Sequence, residues 1–349
     1  GSFAAYRRAL APLLDALTSG APRRQVLREL ALRPGFFVPS EHGDALPPVA
    51  KCDDSQLPAC SSVWTPAATL ADMFLIETSR GCSRGCTFCV MRRSTNGGMR
   101  IVPAERVLSL IPEAAPRVGL VGAAVSDHPR IVDIVRAIVD RGQGVGLSSL
   151  RADKLTPEFV EALKRGGYRT LTVASDGASE RLRSLIERKI REKHLLRAAE
   201  LAGAHDIPQL KVYMMIGVPG ETHDDLDELV AFSHRQADAA GPRTKIHLSI
   251  APFVSKRNTP LDGLPFVGIR EAEVRLARLR AGLLPRVHMR ATSARWAWVE
   301  YMLAQGGPSA GLAVREAWER GGSFAAYRRA LAPLAAQTPR APAPQLRSA

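Results

Sequence analysis

The sequence predicts an α/β fold, a partial (β/α)6 TIM-like barrel with a helical C-terminal appendage; an open sheet is the alternative. Three observations predict it. Short apolar runs recur at 73–78, 117–123, 144–149, 169–174, 209–216 and 244–251. Amphipathic stretches of helical period fall between them, at 103–111, 129–141, 156–165, 180–205 and 222–238. Boundary signals sit where such units need them: Thr156-Pro157-Glu158 places a capping hydroxyl and then proline at a helix start. Strands that alternate with helices build parallel β/α units. Function is then expected on the loops at the C-terminal edge of the strands.

The flanks read differently. Residues 34–70 are rich in Pro, Ser and Asp and lack a period, as in an irregular linker. The chain therefore divides into an irregular N-terminal segment (1–70), a core barrel (71–262), a helical C-terminal region (263–334) and a disordered tail (335–349). The helical region opens with the amphipathic stretch 268–282. The thirteen residues GSFAAYRRALAPL stand at both 1–13 and 322–334. Architectural repeats diverge and recur at short fixed periods. An identical pair at the two ends points instead to a duplication, a rearrangement junction or an assembly artefact. Together with a start at Gly1 rather than Met, it leads us to expect that 1–70 is the remnant of a lost upstream domain.

Composition narrows the partners. Lys and Arg number 48 against 34 Asp and Glu, a net charge of +14. A basic surface suits nucleic acid or another anion. No aromatic residues are interleaved with a basic stripe, so nucleic acid is a partner the sequence allows but does not favour. No apolar run reaches eighteen residues, so no membrane partner is expected. The cysteine count of five is odd and three are crowded together, which points to a reducing compartment, the cytoplasm.

Those three cysteines lie in RGCSRGCTFCVMRR, residues 80–93, directly after the first apolar run. Structural zinc takes four ligands, usually as two close pairs. Cys82, Cys86 and Cys89 are three and unpaired. Three thiolates on one loop suit a 4Fe–4S cluster with one iron left open. Cys52 and Cys60 are too few for a second cluster and read as free thiols. His128, His205 and His223 read as surface residues, and Trp296, Trp298 and Tyr301 as packing of the C-terminal helices.

A Cys-x3-Cys-x2-Cys motif with an aromatic residue, Phe88, before its third cysteine resembles the radical S-adenosylmethionine (radical SAM) enzymes. The resemblance covers about residues 70–260. It implies that Cys82, Cys86 and Cys89 are the metal ligands and that S-adenosylmethionine chelates the open iron. It implies reductive cleavage to methionine and a 5′-deoxyadenosyl radical. That radical takes hydrogen from an unidentified substrate, with methylation among the outcomes. An external electron donor such as a flavodoxin or a ferredoxin is implied as well.

By the same resemblance, cofactor-binding residues fall after successive strands. Gly122 stands in LVGAAVSDHP (120–129), where the family often has Gly-Gly-Glu-Pro. Ala123 and Ala124 depart from that pattern, leaving backbone carbonyls, Ser126 or Asp127. Ser149 and Arg151 in SSLRAD (148–153) suit the ribose or the carboxylate, or form a solvated turn. Asp176 in VASDGASERLR (173–183) replaces a glutamate common in one branch, and serves the ribose or an N-cap. Gly217 in MMIGVPGET (214–222) lets the backbone approach the adenine, while 220–222 turn and cap the next helix. Lys256 in APFVSKRNTPLDG (251–263) faces substrate or solvent. No catalytic side chain is assigned.

The branch so resembled includes radical SAM proteins with a cobalamin-binding domain and methylthiotransferases. A segment of 1–70 is too short for a whole cobalamin domain, so cobalamin is expected only through a missing one. A second set of three cysteines and a C-terminal basic barrel, features of methylthiotransferases, are not seen. Two further readings stay open: an iron–sulfur protein that has lost radical chemistry and keeps a structural or electron-transfer role, and a methylthiotransferase-like modification of RNA or protein.

Overall fold

In a computed structural model, residues 3–43, 45, 47, 53–91 and 98–335 are described. The apolar runs become strands. Met73–Glu77 (β1), Arg117–Val121 (β4) and Gly144–Leu147 (β5) form one parallel sheet in the order β1-β4-β5. Thr170–Asp176 (β6), Gln209–Ile216 (β7), Lys245–Pro252 (β8) and His288–Ala291 (β9) form another, also parallel. A parallel bridge between Leu150 and Val173 joins the two into one arc. No pairing closes β9 onto β1 among the described residues, so the barrel is partial.

Alternation along each strand sets the two faces of the arc. On β7, Leu210, Val212, Met214 and Ile216 are buried, and on β8, Ile246, Leu248 and Ile250. They share one apolar core with Val107 of Ala104–Ser109 (α4), Ile134 and Ile138 of Ile131–Asp140 (α5), Phe159 and Leu163 of Pro157–Arg165 (α6), and Leu226, Leu229 and Phe232 of His223–Ala240 (α9). The helices therefore clothe the convex face, and the intervening strand residues face the concavity. Caps hold these helices in phase. Thr156 Oγ1 accepts from Phe159 N at 3.2 Å. At α9, Thr222 Oγ1 accepts from Asp225 N while Asp225 Oδ2 accepts from Thr222 N, so the cap expected at 220–222 is a reciprocal box.

Three elements depart from the sequence reading. β9 adds a seventh parallel strand within the region expected to be helical. The stretch 180–205 splits into Glu180–Leu185 (α7) and Glu192–Ala204 (α8). In the turn between them Glu187 and Lys189 take positive φ of 52° and 54°. That turn is held by side chains: Arg183 Nε donates to Ile190 O at 2.9 Å and Arg188 Nη2 to Ala174 O at 3.0 Å. The third departure is an antiparallel pair, Ser79–Gly81 (β2) with Met99–Ile101 (β3). The cysteine motif is part of the connection between its two strands.

The flanks pack by themselves. Phe3–Thr18 (α1), Arg23–Ala31 (α2) and Pro39–His42 (α3) carry a small apolar cluster around Val26, Leu30 and Val38. At the other end, Ile269–Leu283 (α10) leads through β9 to Ala294–Gln305 (α11), Ser309–Glu319 (α12) and Phe324–Ala335 (α13). Trp296 packs edge-on against Tyr327 at 5.5 Å between ring centroids, and Trp298 against Phe324 at 6.1 Å. Tyr301 stacks on Phe266 at 5.8 Å. Phe324 and Tyr327 belong to the second copy of the repeated thirteen residues. Cys52 and the tail from 336 onward lie outside the described residues.

Candidate active site

The cysteine loop stands at the C-terminal edge of the arc. Thr78 N donates to Val121 O at 3.1 Å and Val102 N to Thr78 O at 3.0 Å, tying the β2–β3 hairpin to the end of β4. The loop leaves the hairpin at Gly81, whose φ is +92°. A Cβ there would lie 2.3 Å from Gly98 O, so only glycine fits this crossing. Cys82 N then donates to Gly98 O at 3.1 Å. Cys86 is buried, Cys82 and Cys89 half-buried, and all three are free thiols. Phe88 packs on the main core and anchors the loop.

The turn 186–191 forms the loop's other support. Thr87 N donates to Ile186 O at 3.1 Å. Burial pushes the Cys86 thiol up, and the Arg188 guanidinium beside it pulls it down. Arg188 Nε also lies 2.6 Å from Asp176 Oδ2, which sets the expected cofactor-binding Asp176 within a half-buried ion pair next to Cys86. Burial pushes the Asp176 carboxyl up against that pull. Asp176 itself has φ of +65°, at a bulge where β6 shifts register against β7.

Arg151 is equally committed. It pairs with Asp127 Oδ2 at 2.5 Å through Nη1, with Asp153 Oδ1 at 3.0 Å through Nε, and with Asp153 Oδ2 through Nη2. Its backbone N donates to Ser126 Oγ at 3.0 Å. The same two carboxylates hold the cysteine loop: Ser83 Oγ donates to Asp127 Oδ2 at 2.7 Å, and Arg84 Nη2 to Asp153 Oδ2 at 2.8 Å. So Ser126, Arg151 and the loop are brought together, with Arg151 acting as a strut between the ends of β4 and β5. A cavity of about 460 Å³ beside this network is lined by Ser83, Asp127, Arg151, Lys154 and Lys189 among others.

Gly122 also meets the loop region. A Cβ there would lie 2.9 Å from Ser79 O, so the end of β4 passes hard against β2. Thr78 Oγ1, Ser79 Oγ and Thr87 Oγ1 are buried near the loop without a hydrogen-bond partner among the described residues. Polar atoms buried in this way await a partner. Ser149 is exposed at the edge. Gly217 sits elsewhere: at φ +70° it packs on Val267, with no room for a Cβ, and donates to Glu221 Oε1 at 2.7 Å. Glu221 in turn pairs with Arg275 at 2.6 Å.

Two smaller readings change. His128 is buried, not at the surface; its Nε2 donates to Val102 O at 2.8 Å and its Nδ1 accepts from Arg130 N at 3.1 Å. Lys256 pairs with Glu300 of α11. Sequence reasoning missed Arg188, Asp153 and Arg84. Their only signal was their nearness in sequence to the motifs, since each partner comes from a different loop. Among the described residues, no three His, Cys, Asp or Glu side chains converge on a single-ion site, whereas a cubane takes each thiolate at a separate iron.

Residues 76–233 match the family model of the Radical SAM superfamily. An uncharacterized protein of Methanocaldococcus jannaschii is 32% identical over 194 residues, covering 54% of this chain and 42% of that protein. An uncharacterized methyltransferase of Pyrococcus horikoshii is 24% identical over 168 residues, covering 46% of this chain and 36% of that one. The chain thus spans less than half the length of these two relatives. Among solved structures, the radical S-adenosylmethionine methyltransferase TsrM of Kitasatospora setae, with cobalamin and a 4Fe–4S cluster bound, aligns with a TM-score of 0.43. It is 20% identical, over 57% of this chain and 39% of TsrM. SuiB of Streptococcus suis aligns with a TM-score of 0.43 at 14% identity, over 65% of this chain and 51% of SuiB. The segment 76–233, which carries the three-cysteine loop, is thus similar to the radical SAM domains, which work with a 4Fe–4S cluster and S-adenosylmethionine.

Proposed function

We propose that this chain is a radical SAM enzyme in which Cys82, Cys86 and Cys89 hold a 4Fe–4S cluster. The observation that carries the reading is the placement of three free thiols on one hairpin loop, at the C-terminal edge of the arc and within the matched segment. The donor set fits the group: three thiols for three irons, with hydroxyls at Thr78, Ser79 and Thr87 near the loop that lack a partner among the described residues. When bound, the cluster and S-adenosylmethionine supply a one-electron cleavage and a hydrogen-abstracting radical.

The chain's own residues position and shield that chemistry. Phe88 and the 186–188 turn fix the loop from two sides. Arg188 places a cation beside Cys86 and draws Asp176 toward its charged form against the burial that pushes the carboxyl up. Arg151, Asp127 and Asp153 lock the loop to the ends of β4 and β5. Gly122 and Ser126 offer backbone at the end of β4, and exposed Ser149 offers a hydroxyl. Gly217, turned toward Val267 and Glu221, supports the edge rather than the ligand. The electron comes from a small reductant such as a flavodoxin or ferredoxin.

The test is anaerobic loading with iron and sulfide, reduction, and mass spectrometry of the nucleoside products. The reading requires 5′-deoxyadenosine, formed by the loaded chain and not by a Cys82→Ala, Cys86→Ala, Cys89→Ala variant. A cluster that forms but leaves S-adenosylmethionine whole would favour an electron carrier instead. A second reading, methyl transfer, is supported by the likeness to the Pyrococcus horikoshii methyltransferase. It requires S-adenosylhomocysteine as well. Cobalamin would enter this reading as methyl carrier, held by an upstream domain, and added cobalamin would then be needed for that product.

A further inference from the structure

We propose that the concave face of β6–β9 is a binding site for an anionic group of the substrate, a carboxylate or a phosphate. Strand register builds it. Thr172, Lys211, His247 and His288 lie side by side across the four strands. The next row toward the edge is Ala174, Tyr213, Ser249 and Arg290. Neighbours in a parallel sheet point to one face, and the opposite face of β7 and β8 is the apolar one packed under the helices. These two rows therefore face the concavity.

Their charge is one-sided. Lys211, His247, His288 and Arg290 contribute no carboxylate, and Lys245 adds a cation one row further from the edge. Among the described residues none of the five makes an ion pair, although arginines elsewhere on the chain are commonly paired. Lys211 Nζ lies 4.8 Å from the centroid of the Tyr213 ring, and the His247 and His288 rings are 4.9 Å apart. Burial, His288, Lys211 and Lys245 all push His247 toward its neutral form. Like charges gathered in a concavity repel one another and desolvate, a cost that a bound anion removes.

The depth of the rows gives the ligand a size. Tyr213 stands one pleat repeat and Lys211 two repeats below Met215 at the edge, about 7 and 14 Å. A substrate reacting at the edge would reach these rows with an anionic tail that long. This placement of the reacting end rests on the radical SAM reading; the anion site does not.

Calorimetry on the cluster-free full chain tests it, with succinate and inorganic phosphate as probes and uncharged succinamide as control. We expect saturable binding of at least one anion and none of succinamide. The tighter of the two names the group. Lys211→Met and Arg290→Gln should each weaken binding by about tenfold or more, the loss of one charge-assisted hydrogen bond. Lys211→Arg should restore it, and Lys193→Gln on α8 should leave it unchanged. Should either variant fail to fold, the imidazole NMR signals of His247 and His288 in the wild-type chain decide: they shift on adding the anion. Absence of saturable binding, equal affinity in folded variants, or imidazole signals that stay put would overturn the proposal. Cleavage of S-adenosylmethionine by the loaded wild-type chain judges the radical reading separately.

Discussion

The two halves of the arc share a parallel backbone and differ in what they turn inward. The three-stranded half presents Gly119 and Gly146 beside Met73 and Leu75, and so lines a largely apolar cavity of about 690 Å³ that reaches Gly122 and Ser148 at the edge. The four-stranded half presents Lys211, Tyr213, His247, His288 and Arg290. One half has given up side chains to make room; the other has kept long cationic ones. The cysteine loop bears on both, through Thr78 on the first and the 186–188 turn on the second. A single barrel pattern thus carries two different inner walls, because every second residue of a strand is free of the core's demands.

The largest stability loss should follow from Arg183→Ala, in the four-stranded half. Arg183 is 1% exposed and donates to Ile190 O, Gly177 O and Ser175 Oγ. Its removal strands the buried Ile190 carbonyl at about 1–3 kcal/mol, leaves Gly177 O to Ser175 Oγ alone and opens a large void in the core. Chemical denaturation should show a loss of several times the usual surface effect; a loss no greater than that of a surface residue would mean that the 186–191 turn holds itself.

In the β2–β3 hairpin that borders the three-stranded half, Gly81→Ala must overcome a 2.3 Å contact and a left-handed backbone. The expected cost is about 1–3 kcal/mol, confined to the β2–β3 hairpin. Iron uptake should fall while the melting of the arc changes less. Equal iron uptake in the variant would show that the hairpin does not set the loop.

Next comes the seam between the halves. The Tyr168 hydroxyl meets Leu147 N at 2.5 Å and Leu147 O at 2.7 Å. Burial pushes its pKa up to about 12, so it stays neutral and can donate. Tyr168→Phe should cost about 1–3 kcal/mol and speed amide exchange at Leu147. The smallest effect belongs outside both halves: Lys256→Ala breaks an exposed pair with Glu300 and should shift stability by at most about 1 kcal/mol. A large loss of substrate turnover with unchanged stability would return Lys256 to the site.

Much of this was legible before any coordinates. The alternation in QLKVYMMI and TKIHLSIA announces strands with one apolar face, and the Cys82, Cys86, Cys89 spacing announces one loop with three free thiols. What escaped was set by distant partners. β9 is four residues with no β-branched side chain between two strong helices, and it exists because His288 to Ala291 pair with β8. The break at 186–191 contains neither proline nor glycine; Arg183 and Arg188 impose it from inside the fold. Arg151 was legible as a polar group at the edge, but its carboxylate partners were not, Asp127 being 24 residues away. The concave cations were visible as charges, but which face was concave was not.

In the proposed function, Cys82, Cys86 and Cys89 hold a cluster whose fourth iron is free for S-adenosylmethionine. The most direct measurement is electron paramagnetic resonance of the anaerobically loaded, reduced chain, before and after S-adenosylmethionine is added. A reduced 4Fe–4S signal whose g-values change on addition, and which the triple cysteine-to-alanine variant lacks, is the predicted result. A signal indifferent to the nucleotide, or one that survives loss of all three cysteines, would contradict it.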